Sequence, residues 1–181
     1  ELDDENIGTM PVLERHVFNI SALEDYMNSN VDGFKGPIKV EEFKGGQSNP
    51  TYKITSQNQA YVLRRKPPGK LLKSAHAVDR EYKVITALNE TDVPVPKSYA
   101  LCEDEDIIGT PFYIMEFKDG RVLWDPAMEE SDFEEAKGVY LSMNASIAKL
   151  HSVNYEEVGL EDFGKPGNYV GRQVSRWSKQ Y

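Results

Sequence analysis

Residues 42–66 read EFKGGQSNPTYKITSQNQAYVLRRK. A glycine-bearing turn, Gly45-Gly46-Gln47-Ser48-Asn49, is followed by two alternating runs, Thr51–Thr55 and Ala60–Lys66, and the second run ends in consecutive cations. That order suits a hairpin that holds phosphate. Residues without bulk let backbone N–H groups approach anionic oxygens, and a cation on the neighbouring strand reaches the same oxygens. Alternation places Val62, Arg64 and Lys66 on one face of the second strand and Tyr61, Leu63 and Arg65 on the other. In that arrangement Val62 covers a base while Arg64 reaches phosphate. The turn also fits an ordinary connection between strands, and the three cations also fit a solvated strand end. It is not a Walker loop, because the Gly-Lys-Ser/Thr ending is missing and a strand follows it.

The segment after the hairpin separates these readings. Lys66-Pro67-Pro68-Gly69 stops the sheet, since neither proline donates to a ladder. The pattern from Ser74 to Asn89 is helical, and Val78, Tyr82, Ile85 and Leu88 form its apolar stripe with Glu81 in the middle. A buried carboxylate costs several kcal/mol unless a cation pairs with it, so Glu81 calls for a partner from the sheet, and Arg64 is the natural one. The other reading puts Glu81 at the rim, in water. An Arg–Glu pair between a strand and this helix is the small-lobe arrangement of kinases.

Further along, Asp92-Val93-Pro94-Val95-Pro96 forces extended chain. Ser98–Leu101 and Pro111–Phe117 read as strands around an acidic loop at 103–106. The second runs Phe112-Tyr113-Ile114-Met115-Glu116-Phe117-Lys118-Asp119-Gly120, turning from apolar to polar. It reads either as a strand leaving a core or as a hinge between lobes whose backbone groups meet an adenine edge. Upstream, Ser21 and Glu24 form a capping-box pattern for a short helix to about Asn28, and Ile38–Phe43 alternates as a strand. Downstream, Ser131 and Glu134 form a second capping box. They open the longest helix, Ser131–His151, with Ala136, Val139, Tyr140, Met143, Ile147 and Leu150 on one stripe. Residues 155–171 are turn-rich, and a last helix is expected over Val174–Lys179.

Strands followed by helices predict an α+β fold: a kinase-like small lobe of about five antiparallel strands plus one packed helix, then the first helices of a helical lobe. The expected division is a flexible segment 1–20, a small lobe with hinge at 21–118, and the incomplete start of a large lobe at 119–181.

Composition bounds the partners. With 30 acidic against 21 basic residues the chain is not suited to nucleic acid or an anionic membrane surface, so any anion needs a local cationic site. The single cysteine, Cys102, forms no intramolecular disulfide and suits a reducing, intracellular compartment. No apolar run approaches the roughly 20 residues of a membrane span. Both ends read as cut rather than natural.

The stretches GGQSNPTY, YVLRRKPPGKLLKSAHAVDREYKVITAL, VPVPK, IGTPFYIMEF, GR, WDPA, AKLHS and RQVSRWSKQY, in this order, resemble the aminoglycoside-phosphotransferase family of kinase-like folds. More narrowly they are similar to the kinase-like domain at the start of acyl-CoA dehydrogenase family members ten and eleven and to their free-standing bacterial relatives. The resemblance runs from about Leu23 to Tyr181. It implies ATP with Mg²⁺ in the full-length parent, and an acceptor that is a small-molecule hydroxyl, a hydroxyacyl-CoA in the dehydrogenase-linked members. It also implies that Gln47, Ser48 and Asn49 lie over the phosphates, and that Arg64 stands where such folds keep a lysine, oriented by Glu81. Met115 borders the adenine pocket, with the Glu116 carbonyl and Lys118 amide as hinge partners. For the compartment it admits a mitochondrion or peroxisome.

The chain departs from that family in what it lacks. The family's catalytic base stands in a His-Gly-Asp loop followed by a metal-binding Asn and a second Asp, and none of His16, His76 and His151 is followed by Gly-Asp. Asp162-Phe163-Gly164 spells the metal motif of protein kinases without a catalytic loop before it, and is read as coincidence. His151 is expected to pack or to cap the last carbonyls of its helix. This stretch alone is therefore expected to have no catalytic residue, no required cofactor and no phosphotransferase activity. Self-association or marginal stability is expected through the uncovered stripe of the 131–151 helix. Two other readings stand beside a kinase part: a non-catalytic nucleotide-binding or interaction module, and an α+β scaffold without a ligand.

Overall fold

A computed structural model describes residues 7–45, 49–69, 76–123, 125–129, 131–165 and 167–179. Its centre is an antiparallel sheet. In chain order the strands are β1 (Thr9–Met10), β2 (Lys39–Phe43), β3 (Thr51–Thr55), β4 (Ala60–Arg65), β5 (Ser98–Cys102) and β6 (Phe112–Glu116). They lie side by side as β1-β2-β3-β4-β6-β5. The helices are α1 (Ile20–Asn30), α2 (Val78–Leu88), the short α3 (Glu105–Ile108), α4 (Phe133–His151) and α5 (Tyr169–Ser178). The expected α+β small lobe is therefore present, with six strands rather than five. The added strand is only two residues long, too short for an alternation to be read.

The two faces of the sheet have different jobs. Tyr52 and Ile54 of β3, Tyr61 and Leu63 of β4, and Phe112 and Ile114 of β6 point to one face and are fully buried. Leu23 and Met27 of α1 close over them. Each such side chain stabilises the fold by about 1.5–3 kcal/mol. Tyr26 sets its ring edge-on to Phe112 at 5.2 Å and donates its hydroxyl to the Leu101 carbonyl at 3.0 Å. Burial pushes the Tyr26 and Tyr52 phenols up to about 12. The opposite face carries Thr51, Lys53, Val62, Arg64, Tyr113 and Met115, aligned by the register Thr51↔Arg64↔Tyr113 and Lys53↔Val62↔Met115.

Several local expectations change. α1 is capped by Asn19, whose Oδ1 accepts from Ala22 N at 3.1 Å, not by Ser21. Glu24 instead accepts from Ile38 N at 3.1 Å, across a turn where a Cβ on Gly36 would stand 2.5 Å from its carboxylate. Likewise α4 is capped by Asp132, which accepts from Glu135 N at 2.8 Å, while Glu134 pairs with Lys137. In both cases a carboxamide or carboxylate nearer the helix start took the role read into serine. The acidic loop at 103–106 contains the start of α3, capped by Asp104. The last helix begins five residues earlier than expected, at Tyr169 rather than Val174. On α4 the stripe stays open to solvent, with Tyr140, Met143, Ile147 and Leu150 about half exposed. No helix among the described residues is long and apolar enough to cross a membrane.

The stretch read as loose before α1 is tied to the sheet where it is described. β1 pairs with β2. Glu42, 5% exposed on the core face, accepts from Leu13 N at 3.1 Å and meets His16 Nδ1 at 2.7 Å. The His16 carbonyl in turn accepts from Arg65 Nη2 at 3.1 Å and from the Tyr52 hydroxyl at 3.4 Å. Glu42→Ala removes the acceptor for both groups. It is expected to cost about 2–3 kcal/mol and to speed hydrogen exchange at Leu13. A urea midpoint equal to the parent's would contradict that role.

Candidate functional site

The consecutive cations of β4 divide between the two faces. Arg65 is 2% exposed on the core side, donating to the carbonyls of Ile108 and His16 at 3.1 Å each, with its guanidinium over the rings of Phe18 and Tyr52. A solvated strand end is therefore excluded for Arg65. Arg64 points the other way, toward α2. Its Nε donates to Glu81 Oε2 at 2.7 Å and its Nη1 to Thr51 Oγ1 at 3.3 Å. The pair argued from the position of Glu81 within an apolar stripe is formed. Both partners are about two-thirds buried.

Glu81 does more than pair. Its Oε1 accepts from Asn49 Nδ2 at 3.0 Å, and its Oε2 also accepts the Tyr113 hydroxyl at 3.1 Å. Burial first, and then the Glu81 charge, raise the Tyr113 phenol well above its ordinary range, so it stays a donor. Asn49 is 3% exposed, and its Oδ1 lies 2.7 Å from His76 Nδ1. Since the Asn49 amide nitrogen donates to Glu81, its oxygen accepts, and His76 carries a proton on Nδ1. His76 takes a left-handed backbone, φ 61°, just before α2. A connected set thus runs from His76 through Asn49 and Glu81 to Arg64, with Thr51 and Tyr113 at its sides. It fixes both the end of the glycine turn, at Asn49, and the cation of β4.

Next to this set the sheet offers an apolar floor. Val62 is buried, and Met115 stands beside it on β6. At the edge Phe43 and Phe117 stack at 6.4 Å, and Lys53 Nζ sits 4.1 Å from the centroid of Phe117. At the end of β6, Glu116 N donates to the Lys97 carbonyl at 2.8 Å. Its carboxylate accepts from Lys97 N at 3.2 Å and pairs with Lys118 Nζ at 2.7 Å. The hydrogen bond from Lys118 holds that carboxyl below the usual range. The structure therefore gathers Asn49, Val62, Arg64, Glu81 and Met115 on one face, with Glu116 and Lys118 at its border. Gln47 and Ser48 lie outside the described residues. His76, Thr51, Tyr113 and Lys53 were not singled out from the sequence. The strand partners Thr51 and Tyr113 had no signal without the register. His76 had one, a polar ring at a helix start, but no partner to read it against.

Two expectations about histidine and the Asp-Phe-Gly triplet are also answered. His151 is exposed, and the carbonyls at the end of α4 are met by the Ser152 amide rather than by its ring. Asp162-Phe163-Gly164 lies in the turn-rich segment after α4 and touches α2, where Arg80 and Lys83 meet it.

Residues 39–181 match the family described as the phosphotransferase enzyme family. The chain belongs to that family. Among curated proteins it is 48% identical over 92% of its length to the "Probable acyl-CoA dehydrogenase IBR3" of Arabidopsis thaliana, covering 21% of that protein. It is 42% identical over 96% of its length to "Acyl-CoA dehydrogenase family member 11" of Rattus norvegicus, covering 23% of it. Among solved structures it resembles a protein of Ralstonia eutropha described as a "putative aminoglycoside phosphotransferase". The two share 52% identity and a TM-score of 0.79 over 91% of this chain and 47% of the other. The chain thus spans about a fifth of these curated relatives and about half of that solved chain. The kinase-like fold of the phosphotransferase family follows from both comparisons, and its ATP and Mg²⁺ are the family's usual cofactors.

For Mg²⁺ the residues at hand do not fit. Among the described residues no three His, Cys, Asp or Glu side chains gather to hold a metal ion. The carboxylate beside the cationic strand, Glu81, is filled by Arg64, Asn49 and Tyr113.

Because Glu81 serves three donors, Glu81→Ala is expected to cost about 2–4 kcal/mol. Arg64→Ala and Glu81→Ala together should cost less than the sum of the two, by about 1 kcal/mol or more. Urea unfolding of the four species measures this, and strict additivity would show that the pair carries no coupling.

Proposed function

We propose that this phosphotransferase-family chain is the ATP-holding part of a small-molecule kinase. The single observation that carries the reading is the Arg64–Glu81 pair, held at 2.7 Å and tied through Asn49 to the end of the glycine turn. A free arginine on a strand end has many rotamers, and one held at Nε presents its remaining N–H groups in a fixed direction. Arg64 would take the nucleotide phosphates, with Gln47, Ser48 and Asn49 above them. Val62 and Met115 would cover the base, and the Glu116 carbonyl and Lys118 amide would meet its edge. Bound ATP supplies the phosphoryl group; these residues bind and orient it.

In the parent protein the acceptor we propose is the hydroxyl of a hydroxyacyl-CoA. Support comes from curated relatives named as acyl-CoA dehydrogenases at 40–48% identity. We place the small lobe and hinge at 21–118, and helices of the large lobe at 119–181. Transfer requires a carboxylate to position the hydroxyl, together with metal ligands. The sequence holds no His-Gly-Asp, so this chain by itself binds nucleotide without turnover.

Titration of this chain with a fluorescent ATP analogue tests the reading. Binding is expected, and Arg64→Ala should weaken it at least about tenfold, equivalent to ~1.4 kcal/mol. Absence of binding in the parent chain, or equal binding in the variant, would refute the assignment. ATP consumption by this chain on any hydroxylated acceptor would refute the division of labour.

A further inference from the structure

Helix α2 is held from two directions. On the sheet side Glu81 meets β4 and β6. Away from the sheet, Arg80 and Lys83 meet the turn that follows α4. Arg80 Nη2 donates to the Phe163 carbonyl at 2.9 Å, and its guanidinium lies over the Phe163 ring, 4.4 Å from the centroid. Lys83 Nζ meets Asp162 Oδ1 at 2.8 Å. Lys83 also keeps the Asp162 carboxyl below the usual carboxylate range. Two consecutive residues of one turn therefore grip two cations spaced i, i+3 on one helix, a spacing that puts them on a common face.

Beside this grip one flank of α2 is open. A cleft of about 670 Å³ opens between Arg80, Glu81, Ile85, Tyr113 and Phe163. Apolar burial is complete only near the ends of the helix, at Val78 and Leu88. Between them the contacts to the sheet are the tilted Tyr82–Tyr113 ring pair at 6.0 Å, the polar set around Glu81 and a hydrogen bond from Thr86 Oγ1 to Ser98 Oγ of β5 at 2.9 Å. A roll of α2 toward this open side would draw Glu81 away from its three donors at once. Surface ion pairs contribute little to global stability, so the grip of Asp162 and Phe163 acts on orientation rather than on folding.

We propose that the Asp162–Phe163 turn is a positioning device for the nucleotide site. By gripping Arg80 and Lys83 it sets the rotation of α2 at which Glu81 reaches Asn49, Arg64 and Tyr113 together. This inference rests on the reading of Arg64 as a phosphate-binding residue. It makes Arg80, Lys83, Asp162 and Phe163 positioning residues, since none is placed to touch the nucleotide. It also gives the Asp-Phe-Gly triplet a role that has nothing to do with metal.

The test uses the full chain, the same ATP analogue and thermal melting. Asp162→Ala/Phe163→Ala is expected to weaken analogue binding about fivefold, with a smaller fall in melting temperature than Glu81→Ala shows. Phe163→Tyr keeps the ring and should bind as the parent does. In a Glu81→Gln background, the Asp162/Phe163 change should weaken binding no further, because the group it positions is already lost. If the Asp162/Phe163 variant binds at parental strength while Arg64→Ala weakens binding, the turn is surface packing and the proposal falls alone. A further loss in the Glu81→Gln background would likewise overturn it, because the turn would then act by another route. If Arg64→Ala has no effect either, the nucleotide-site reading fails and takes this one with it.

Discussion

One carboxylate, Glu81, sets the conditions for the whole polar set between α2 and the sheet. It sits on a helix whose neighbours in the stripe are apolar, so its charge must be answered from the sheet, and three donors from three separate segments answer it. Each of those segments is itself fixed by other forces. Arg64 and Tyr113 are held by strand pairing and Asn49 by burial. The geometry of the site is thus the point where sheet register, helix rotation and the end of the glycine turn must agree. Low local polarity strengthens such a set when it is complete and penalises it when one member is missing.

A second polar set holds the opposite face. Glu42, His16 and Arg65 tie the segment before α1 onto the core, using one buried carboxylate, one imidazole and one guanidinium. The two sets meet on neighbouring residues of β4. The guanidinium of Arg64 serves the Glu81 set, and that of Arg65 serves the core. The same side chain in adjacent positions has opposite duties because a strand alternates its faces.

Much of this was legible in the sequence, for physical reasons that also explain what was not. Alternation in 60–66 assigned Arg64 and Arg65 to different faces, and the position of Glu81 within an apolar stripe demanded a cation. Those are local signals, and they held. Asn49 was legible only through family resemblance, since nothing local says that its amide bridges two side chains 27 and 32 residues away. Thr51 and Tyr113 depend on which strands are neighbours. The adjacency of β4 and β6, with β5 outside, is a property of the whole sheet. The caps of α1 and α4 went to Asn19 and Asp132 because a capping box names a residue type, and a competing acceptor stood within two residues. The grip of Asp162 and Phe163 on α2 spans about eighty residues of chain and leaves no trace in local pattern.

The division of the two arginines constrains length as much as identity. Loss or gain of a single residue inside Ala60–Arg65 would move every following side chain to the other face of the sheet. With one residue gained, Arg64 would enter the aromatic core in place of Arg65 and the acid on α2 would face Leu63. With one lost, Arg64 would enter the core in place of Leu63 and Lys66 would follow in place of Arg65. No point substitution nearby repairs such a shift, since the error lies in parity rather than chemistry. The turn at 56–59, which hydrogen-bonds back to Gly33 and Lys35, lies outside that count, while every residue of β4 falls within it.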